Sequence, residues 1–330
     1  MKPRVALFTG DPAGVGPELI ARLLADPLTT RLADVLLIAS RASVAAGVRA
    51  AGTSFEITLG GATAGRPALV DWRGLDAPDF PLGEATPENG RFMLEGLAAG
   101  VALVRGGMAD ALCFAPLNKG ALRAGGMKHA DEMHWFTEVL GWTGPAVEFN
   151  VLDDLWTSRI TSHVPLKDVA GLLSVSGVAE GIGLLYRGLQ SAGKHRPKLA
   201  VCALNPHGGD GGNFGREEIE IIAPGVRLAA EQGWPADGPF PADTIFVRAK
   251  GGAYHGIVTM YHDQGQIAMK LMGFERGVTI QGGLPIPITT PAHGTAYDIA
   301  GKGQANVGAM RNAFALACRM GKSRRAAEAT

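Results

Sequence analysis

The chain has 330 residues, with 31 Lys and Arg against 31 Asp and Glu, 46% hydrophobic and 19% charged residues. Balanced charge offers no cationic excess to a polyanion or an anionic bilayer, so nucleic-acid and membrane partners are not expected. The apolar fraction excludes global disorder and predicts a large buried core. Three widely spaced cysteines, Cys113, Cys202 and Cys318, argue against a disulfide framework and for a reducing, cytoplasmic setting. No signal-peptide apolar region is expected at the N-terminus, and no run reaches the ~20 apolar residues of a membrane span. The 47 glycines are about twice the ~7% average usage, without a collagen-like period, and predict many tight backbone sites.

In chain order, strands are predicted at 5–9, 35–39, 111–115, 146–151, 159–163, 198–204, 243–247 and 256–261. Helices are predicted at 17–25, with Pro17 in the first turn, and at 91–104, 132–140, 166–173, 179–189, 216–232 with a kink at Pro224, and 297–319. Residues 323–330 are expected to fray. Short apolar runs alternating with helical patterns indicate an α/β architecture with a largely parallel sheet. The loop-rich stretches 120–131 and 273–291 are the expected crossings between two domains.

Four segments carry potential chemistry. Gly10-Asp11-Pro12-Ala13-Gly14-Val15-Gly16-Pro17-Glu18 lies between the first strand and helix, where small residues admit a ligand and a helix N-terminus favours an anion. Its spacing is not G-x-G-x-x-G, which excludes a Rossmann fingerprint, and a simple tight turn is the competing reading. Three histidines, His163, His207 and His262, each fall at the end of a predicted strand. Ligands of open α/β sheets collect beyond the carboxyl ends of strands, so these imidazoles can converge on one metal with an open position, although a single strand-end histidine is usually a cap. The segment from His293 to Asn306 combines glycines with His, Asp and Asn ahead of the last helix and suits a nucleotide clamp. The segment from Asn205 to Glu218 is dense in glycine and predicts positive φ at several positions.

These residues resemble the 4-hydroxythreonine-4-phosphate dehydrogenase (PdxA) family. The resemblance rests on G-D-P-A-G-V-G-P-E, A-P-L-N-K at 115–119, S-H-V-P-L-K-D-V at 162–169, N-P-H-G-G-D-G-G-N-F-G-R-E-E, P-A-D-T at 241–244, M-Y-H-D-Q-G and H-G-T-A-Y-D-I-A-G-K-G, in family order. The last segment also looks like the adenine-side loop of isocitrate and isopropylmalate dehydrogenases. The resemblance implies a two-domain α/β/α isocitrate/isopropylmalate dehydrogenase-like fold with the active site in the interdomain cleft. It further implies a homodimer, NAD in a non-Rossmann site, one divalent metal, and oxidation of a β-hydroxy carboxylate followed by decarboxylation. Residues 1–125 with 274–330 would form the nucleotide side, and 126–273 the metal, substrate and dimerisation side. By matching position, His163, His207 and His262 would hold the metal, zinc first with Co, Ni, Fe or Mg as alternatives. Asp243, Asp263 and Lys119 would be catalytic and Lys270 substrate-binding. Gly14, Gly16, His293, Gly294, Thr295, Ala296, Asp298 and Asn306 would hold the cofactor.

Two departures bear on the substrate. Where the family has Gly-His-Thr-Glu, this chain has Asp131-Glu132-Met133-His134-Trp135-Phe136-Thr137-Glu138, so the His-Thr pair falls on Glu132-Met133 or on Phe136-Thr137. Counted back from His293 without gaps, the family's Asn falls on Thr279 and its Arg on Ile288. A phosphate dianion is normally held by bidentate, charge-assisted bonds, so Ile288 predicts a substrate without phosphate. A cyclic diol carboxylate of the terephthalate cis-dihydrodiol type would meet an aromatic wall of His134, Trp135 and Phe136, with Thr137 beside it. The alternative is the phosphorylated hydroxythreonine, with the aromatic stretch as helix core. A metal-dependent hydrolase or lyase without nucleotide, and a non-catalytic anion-binding module, are the readings of other classes; neither needs an adenine clamp.

Overall fold

A computed structural model describes residues 2–59 and 65–328. The chain begins β1 (Arg4–Phe8), α1 (Gly16–Ala25), α2 (Pro27–Leu32), β2 (Asp34–Ile38), α3 (Arg41–Ala51), β3 (Thr58–Leu59), β4 (Ala68–Leu69), α4 (Pro87–Arg105), β5 (Ala111–Phe114), α5 (Lys119–Ala124) and α6 (Glu132–Leu140). It continues β6 (Val147–Leu152), β7 (Leu155–Arg159), α7 (Val169–Leu172), α8 (Val175–Ser191), β8 (Leu199–Cys202), α9 (Ala223–Glu231), β9 (Asp237–Phe240), α10 (Ala242–Lys250), β10 (Gly256–Thr259), α11 (His262–Gly273) and β11 (Val278–Gly282). It ends with β12 (Ile288–Pro291) and α12 (Gly308–Glu328). Short 3-10 or π turns precede α7, α9 and β11 and interrupt the segment before α12.

Two compact units result, Met1–Gly144 with Leu284–Thr330, and Pro145–Gly283. The divisions fall at Gly144/Pro145, beyond the expected crossing at 120–131, and at Gly283/Leu284, within the expected crossing stretch 273–291 though ten residues after the boundary placed at 273. The first is displaced because α6 buries Phe136 completely against Phe114 and Ile288 in the core of the first unit.

The first unit holds strands in the order β3-β4-β2-β1-β5-β12, all parallel. Its core gathers Ala6, Phe8, Leu97, Leu112, Phe114 and Ile288, all nearly inaccessible. Each such aliphatic or aromatic side chain stabilises the fold by about 1.5–3 kcal/mol on burial. Gly96 lets α4 pack tightly, because a Cβ there would stand 2.3 Å from the Phe8 ring. The second unit holds β11-β6-β7-β10-β8-β9. There β11, β6 and β7 pair antiparallel, and β7, β10, β8 and β9 run parallel.

Several expectations change. The predicted strand at 243–247 is helix α10, because Ile245, Phe246 and Ala249 bury one helical face behind Pro241. The strand predicted at 159–163 ends at Arg159, and His163 turns out of it with φ +54°. The segment 216–232 divides into a π turn, Glu218–Ile222, and α9, with Pro224 in the first turn of α9. The last helix begins at Gly308 rather than 297 and continues to Glu328 through most of the stretch expected to fray; Ala329 and Thr330 lie outside the described residues. Helix α11 was not anticipated, since M-Y-H-D-Q-G reads as a strand end. Among the described residues no single helix is long and apolar enough to cross a membrane. Cys113, Cys202 and Cys318 are free and buried, and burial pushes each thiol up to about 12.

Candidate active site

In the first unit, the loop after β1 and the segment before α12 form one structure. Val15 N–H donates to Thr295 O at 3.0 Å, Ala305 N–H to Glu18 Oε1 at 2.9 Å, and Arg22 bridges Glu18 and Gly303 O. Tyr297 donates to Asp11 Oδ2 at 2.5 Å, while Ala13 N–H and Asn89 Nδ2 serve Oδ1. Burial raises the pKa of Asp11 despite these donors, and raises that of Tyr297.

The loop glycines act differently from the expectation. A Cβ on Gly14 would meet Thr295 O at 2.8 Å, and one on Gly16 would meet Thr9 O at 2.1 Å. Both make room for neighbouring backbone. Gly294 faces open space, and beside it His293 shares its Nδ1 proton with Gly294 O at 2.9 Å. His293 Nε2 is buried without a hydrogen-bond partner. With Nδ1 facing a carbonyl, Nε2 is a lone-pair acceptor, and this orphaned nitrogen beside an open glycine fits a nucleotide. Ala296 is left-handed (φ +44°), Asp298 is exposed, and Asn306 Oδ1 accepts from Gly308 N–H at 2.8 Å, capping α12.

Elsewhere in this unit Lys119 opens α5, its Nζ 3.9 Å from Glu132 Oε2. His134 Nδ1 lies 2.6 Å from Asp131 Oδ1, and Thr137 donates to His134 O at 2.8 Å. His134 and Thr137 border an open depression of about 420 Å³ together with His129, Glu138 and Trp142. The proposed aromatic wall does not form: Phe136 is core, and Trp135 packs edge-on against it. Ile288 is also core, fully inaccessible and paired with Leu112 on β5. Position 288 therefore packs in the core, and Ile288 does not bear on whether the substrate carries a phosphate.

In the second unit the three histidines follow three adjacent parallel strands: His163 after β7, His262 after β10 and His207 after β8. His163 and His262 come together, ring centroids 5.8 Å apart, on a cavity of about 250 Å³ lined also by Thr161, Tyr261 and Asp263. His207 is not among the lining residues; its ring stands 6.3 Å from Phe214. Among the described residues no three His, Cys, Asp or Glu side chains form a closed metal cluster. The donor chemistry nevertheless fits a borderline divalent cation, because all three imidazoles follow the carboxyl ends of neighbouring parallel strands. Asp263 Oδ1 lies 2.7 Å from His262 Nδ1, which places the proton there and leaves Nε2 as the donor, the usual carboxylate–histidine arrangement behind a metal.

The loop carrying His207 takes positive φ at every residue from His207 to Gly212, as its glycine content predicts. Glu218, nearly inaccessible, holds its base: Oε1 accepts from Leu204 and Asn205 N–H, and Oε2 from Asn205 Nδ2. Burial works against the Glu218 carboxylate, but the Asn205 and Leu204 donors outweigh it and lower its pKa. Asp243 is exposed at the start of α10, Lys270 is exposed on α11, and half-buried Thr279 sits on β11 opposite Asn150. The residues that motif matching passed over are Asp11, Tyr297, Glu218 and Gln264; all four lie inside quoted motifs, but their buried partners are invisible in a linear string.

Isocitrate dehydrogenase from Methylococcus capsulatus superposes on the chain with TM-score 0.51 at 16% identity, over 99% of this chain and 89% of its own, which shows the shared fold. The chain thus has the two-unit α/β fold that isocitrate dehydrogenase also has. Residues 31–317 match the family described as pyridoxal phosphate biosynthetic protein PdxA, and the chain belongs to that family. A Pseudomonas aeruginosa protein provisionally named 4-hydroxythreonine-4-phosphate dehydrogenase 2 is 57% identical over 97% of both chains. The 4-hydroxythreonine-4-phosphate dehydrogenase of Geobacter metallireducens is 38% identical, covering 97% of this chain and 96% of its own. Among solved structures, the Klebsiella pneumoniae enzyme of that name gives TM-score 0.83 at 31% identity, covering 97% and 98%. A terephthalate 1,2-cis-dihydrodiol dehydrogenase from Burkholderia xenovorans gives 0.69 at 26%, covering 96% and 98%. The chain is thus an oxidoreductase acting on CH–OH with decarboxylation, of a family that uses NAD(P) and a divalent cation.

Proposed function

We propose that the chain oxidises 4-hydroxythreonine 4-phosphate at its β-hydroxyl with NAD, and that the resulting β-keto acid loses CO₂. The observation that carries this reading is the graded likeness: the solved phosphate-ester enzyme matches at TM-score 0.83, the cis-dihydrodiol enzyme at 0.69. Ile288 lies in the core and leaves the phosphate of such a substrate unopposed.

A bound divalent cation would supply Lewis acidity at the substrate's hydroxyl and carboxylate end, and NAD would supply the hydride acceptor. His163, His207 and His262 would hold the cation, with Asp263 fixing the His262 tautomer. Lys119 and Asp243 would carry the hydroxyl proton away and return one to the enolate carbon. Lys270, on the same helix as His262, supplies positive charge for an anionic substrate group. The paired loops of the first unit would hold the nucleotide, with His293 Nε2 accepting from one of its N–H or O–H groups. A cytoplasmic homodimer accords with the buried free thiols and with Val247, Ile267 and Leu271, which are 73%, 60% and 84% exposed on α10 and α11.

The test is kcat/KM of the metal-loaded chain with NAD or NADP on 4-hydroxythreonine 4-phosphate, D-threonate 4-phosphate and a terephthalate cis-dihydrodiol. Preference for the first is expected. Preference for the dihydrodiol would overturn the proposal.

A further inference from the structure

The parallel ladder between β10 and β8 runs from Gly256 opposite Leu199 to Val258 opposite Val201, and the same register continued would set Met260 opposite Ala203. At that rung the side-chain amide of Gln264 takes the place of a peptide. Met260 N–H donates to Gln264 Oε1 at 2.8 Å, and Gln264 Nε2 donates to Ala203 O at 2.7 Å. An amide interposed between two backbone groups holds the strand exits further apart than the ~4.8 Å of directly paired strands, while still tying them together. On its other side Met260 O accepts from Thr161 N–H at 3.1 Å and from Thr161 Oγ1 at 2.8 Å. One line of bonds, Thr161 to Met260 to Gln264 to Ala203, therefore crosses all three strand exits. Just beyond Thr161 lies His163, beyond Met260 lies His262, and beyond Ala203 lies His207.

We infer that Gln264 is a positioning residue for the cation site, its two-ended amide setting the separation of the strand exits that carry His262 and His207. The inference rests on the metal reading proposed above. Only an amide of this length supplies both the acceptor for Met260 N–H and the donor for Ala203 O. A carboxylate at 264 keeps the first bond and sets charge against the Ala203 carbonyl; a leucine makes neither. Gln266, on the same helix, donates to Asn150 Oδ1 at 2.6 Å and touches neither bond of the clamp, so it serves as the control.

The experiment is Co²⁺ titration of the full chain, following both affinity and the visible absorption of bound Co²⁺, with melting by circular dichroism alongside. Gln264→Leu is expected to weaken Co²⁺ binding by about 10–100-fold, the effect typical of losing a group that orients a metal ligand. It should also alter the band shape at saturation, which reports coordination geometry and which a mere loss of stability would leave unchanged. Gln264→Glu, of the same length with one bond kept, should fall between, and it decides the matter if the leucine variant does not fold. Gln266→Ala should match the wild type. Wild-type affinity and band shape in Gln264→Glu and in folded Gln264→Leu would overturn the inference. A wild-type chain that takes up no Co²⁺ would overturn the metal reading and the positioning role with it.

Discussion

Tyr297 donates a 2.5 Å hydrogen bond to the fully buried carboxylate of Asp11, joining two segments 286 residues apart in the chain. The bond latches the segment before α12 onto the loop after β1, next to Gly14 and Thr295. Removing the hydroxyl with Tyr297→Phe leaves a buried acceptor short of a donor, a loss of about 1–3 kcal/mol. The sign with pH follows from Asp11, whose pKa burial raises and whose donors hold it down. Without Tyr297 it rises further, so the added destabilisation is largest at neutral and higher pH, where Asp11 is ionised, and shrinks as pH falls and the carboxyl protonates. Urea unfolding at pH 7.5 and pH 5 checks this, with calorimetric titration of NAD expected to show weaker binding. Equal losses at both pH values would contradict the latch.

Glu218 behaves in the opposite sense. Its pKa lies below the ordinary 4.5 because Leu204 and Asn205 donate to the charged form. A depressed carboxylate stabilises the fold fully above its unfolded pKa and loses that contribution as pH falls through the folded value. Glu218→Gln is expected to cost about 1–3 kcal/mol at pH 7, and the difference from wild type should narrow below about pH 4.5. A gap that stays constant from pH 7 to pH 4 would show that shape rather than charge is what the His207 loop requires.

Position 288 separates a core role from a ligand role. Ile288 is enclosed by Phe114, Phe136, Leu112 and Ile286, so Ile288→Arg must bury an unpaired guanidinium, at about 3 kcal/mol or more. Ile288→Val should cost about 0.5–1.5 kcal/mol and leave KM for phosphorylated substrate unchanged. A rise in phosphate-ester affinity in a stable Ile288→Arg chain would restore position 288 to the substrate site.

The parts legible in the sequence are those set by local pattern. Parallel strands betray themselves as short apolar runs, and His163, His207 and His262 are found because each follows such a run. The glycine density at 208–215 foretells positive φ for the same local reason. What the string hides is set by distance. Strand and helix are confused at 243–247 because Ile245 and Phe246 satisfy both periods until Ala249 is known to share their face. The aromatic stretch of α6 suggests a ligand wall until Phe136 is seen in the core cluster with Phe114 of β5 and Ile288 of β12. Gly14 and Gly16 look like ligand cradles, yet the atoms they admit belong to Thr295 and Thr9. A motif marks residues that must not change without saying whether a ligand or another loop requires them.

Asp263 offers a test of the histidine edge that does not depend on the substrate. Its carboxylate fixes the proton of His262 on Nδ1, so Nε2 is presented as a lone pair before any cation arrives. Asp263→Asn keeps the size and weakens the acceptor, releasing the tautomer. Metal affinity should fall by about 10–100-fold, and turnover at limiting metal should fall with it and recover as metal is added. Treating the wild-type chain with a chelator should abolish turnover, with return on adding Zn²⁺ or Co²⁺. If Asp263→Asn binds Zn²⁺ as wild type does, the carboxylate is a surface group with no hold on the ligand, and the cation site must be sought away from His262.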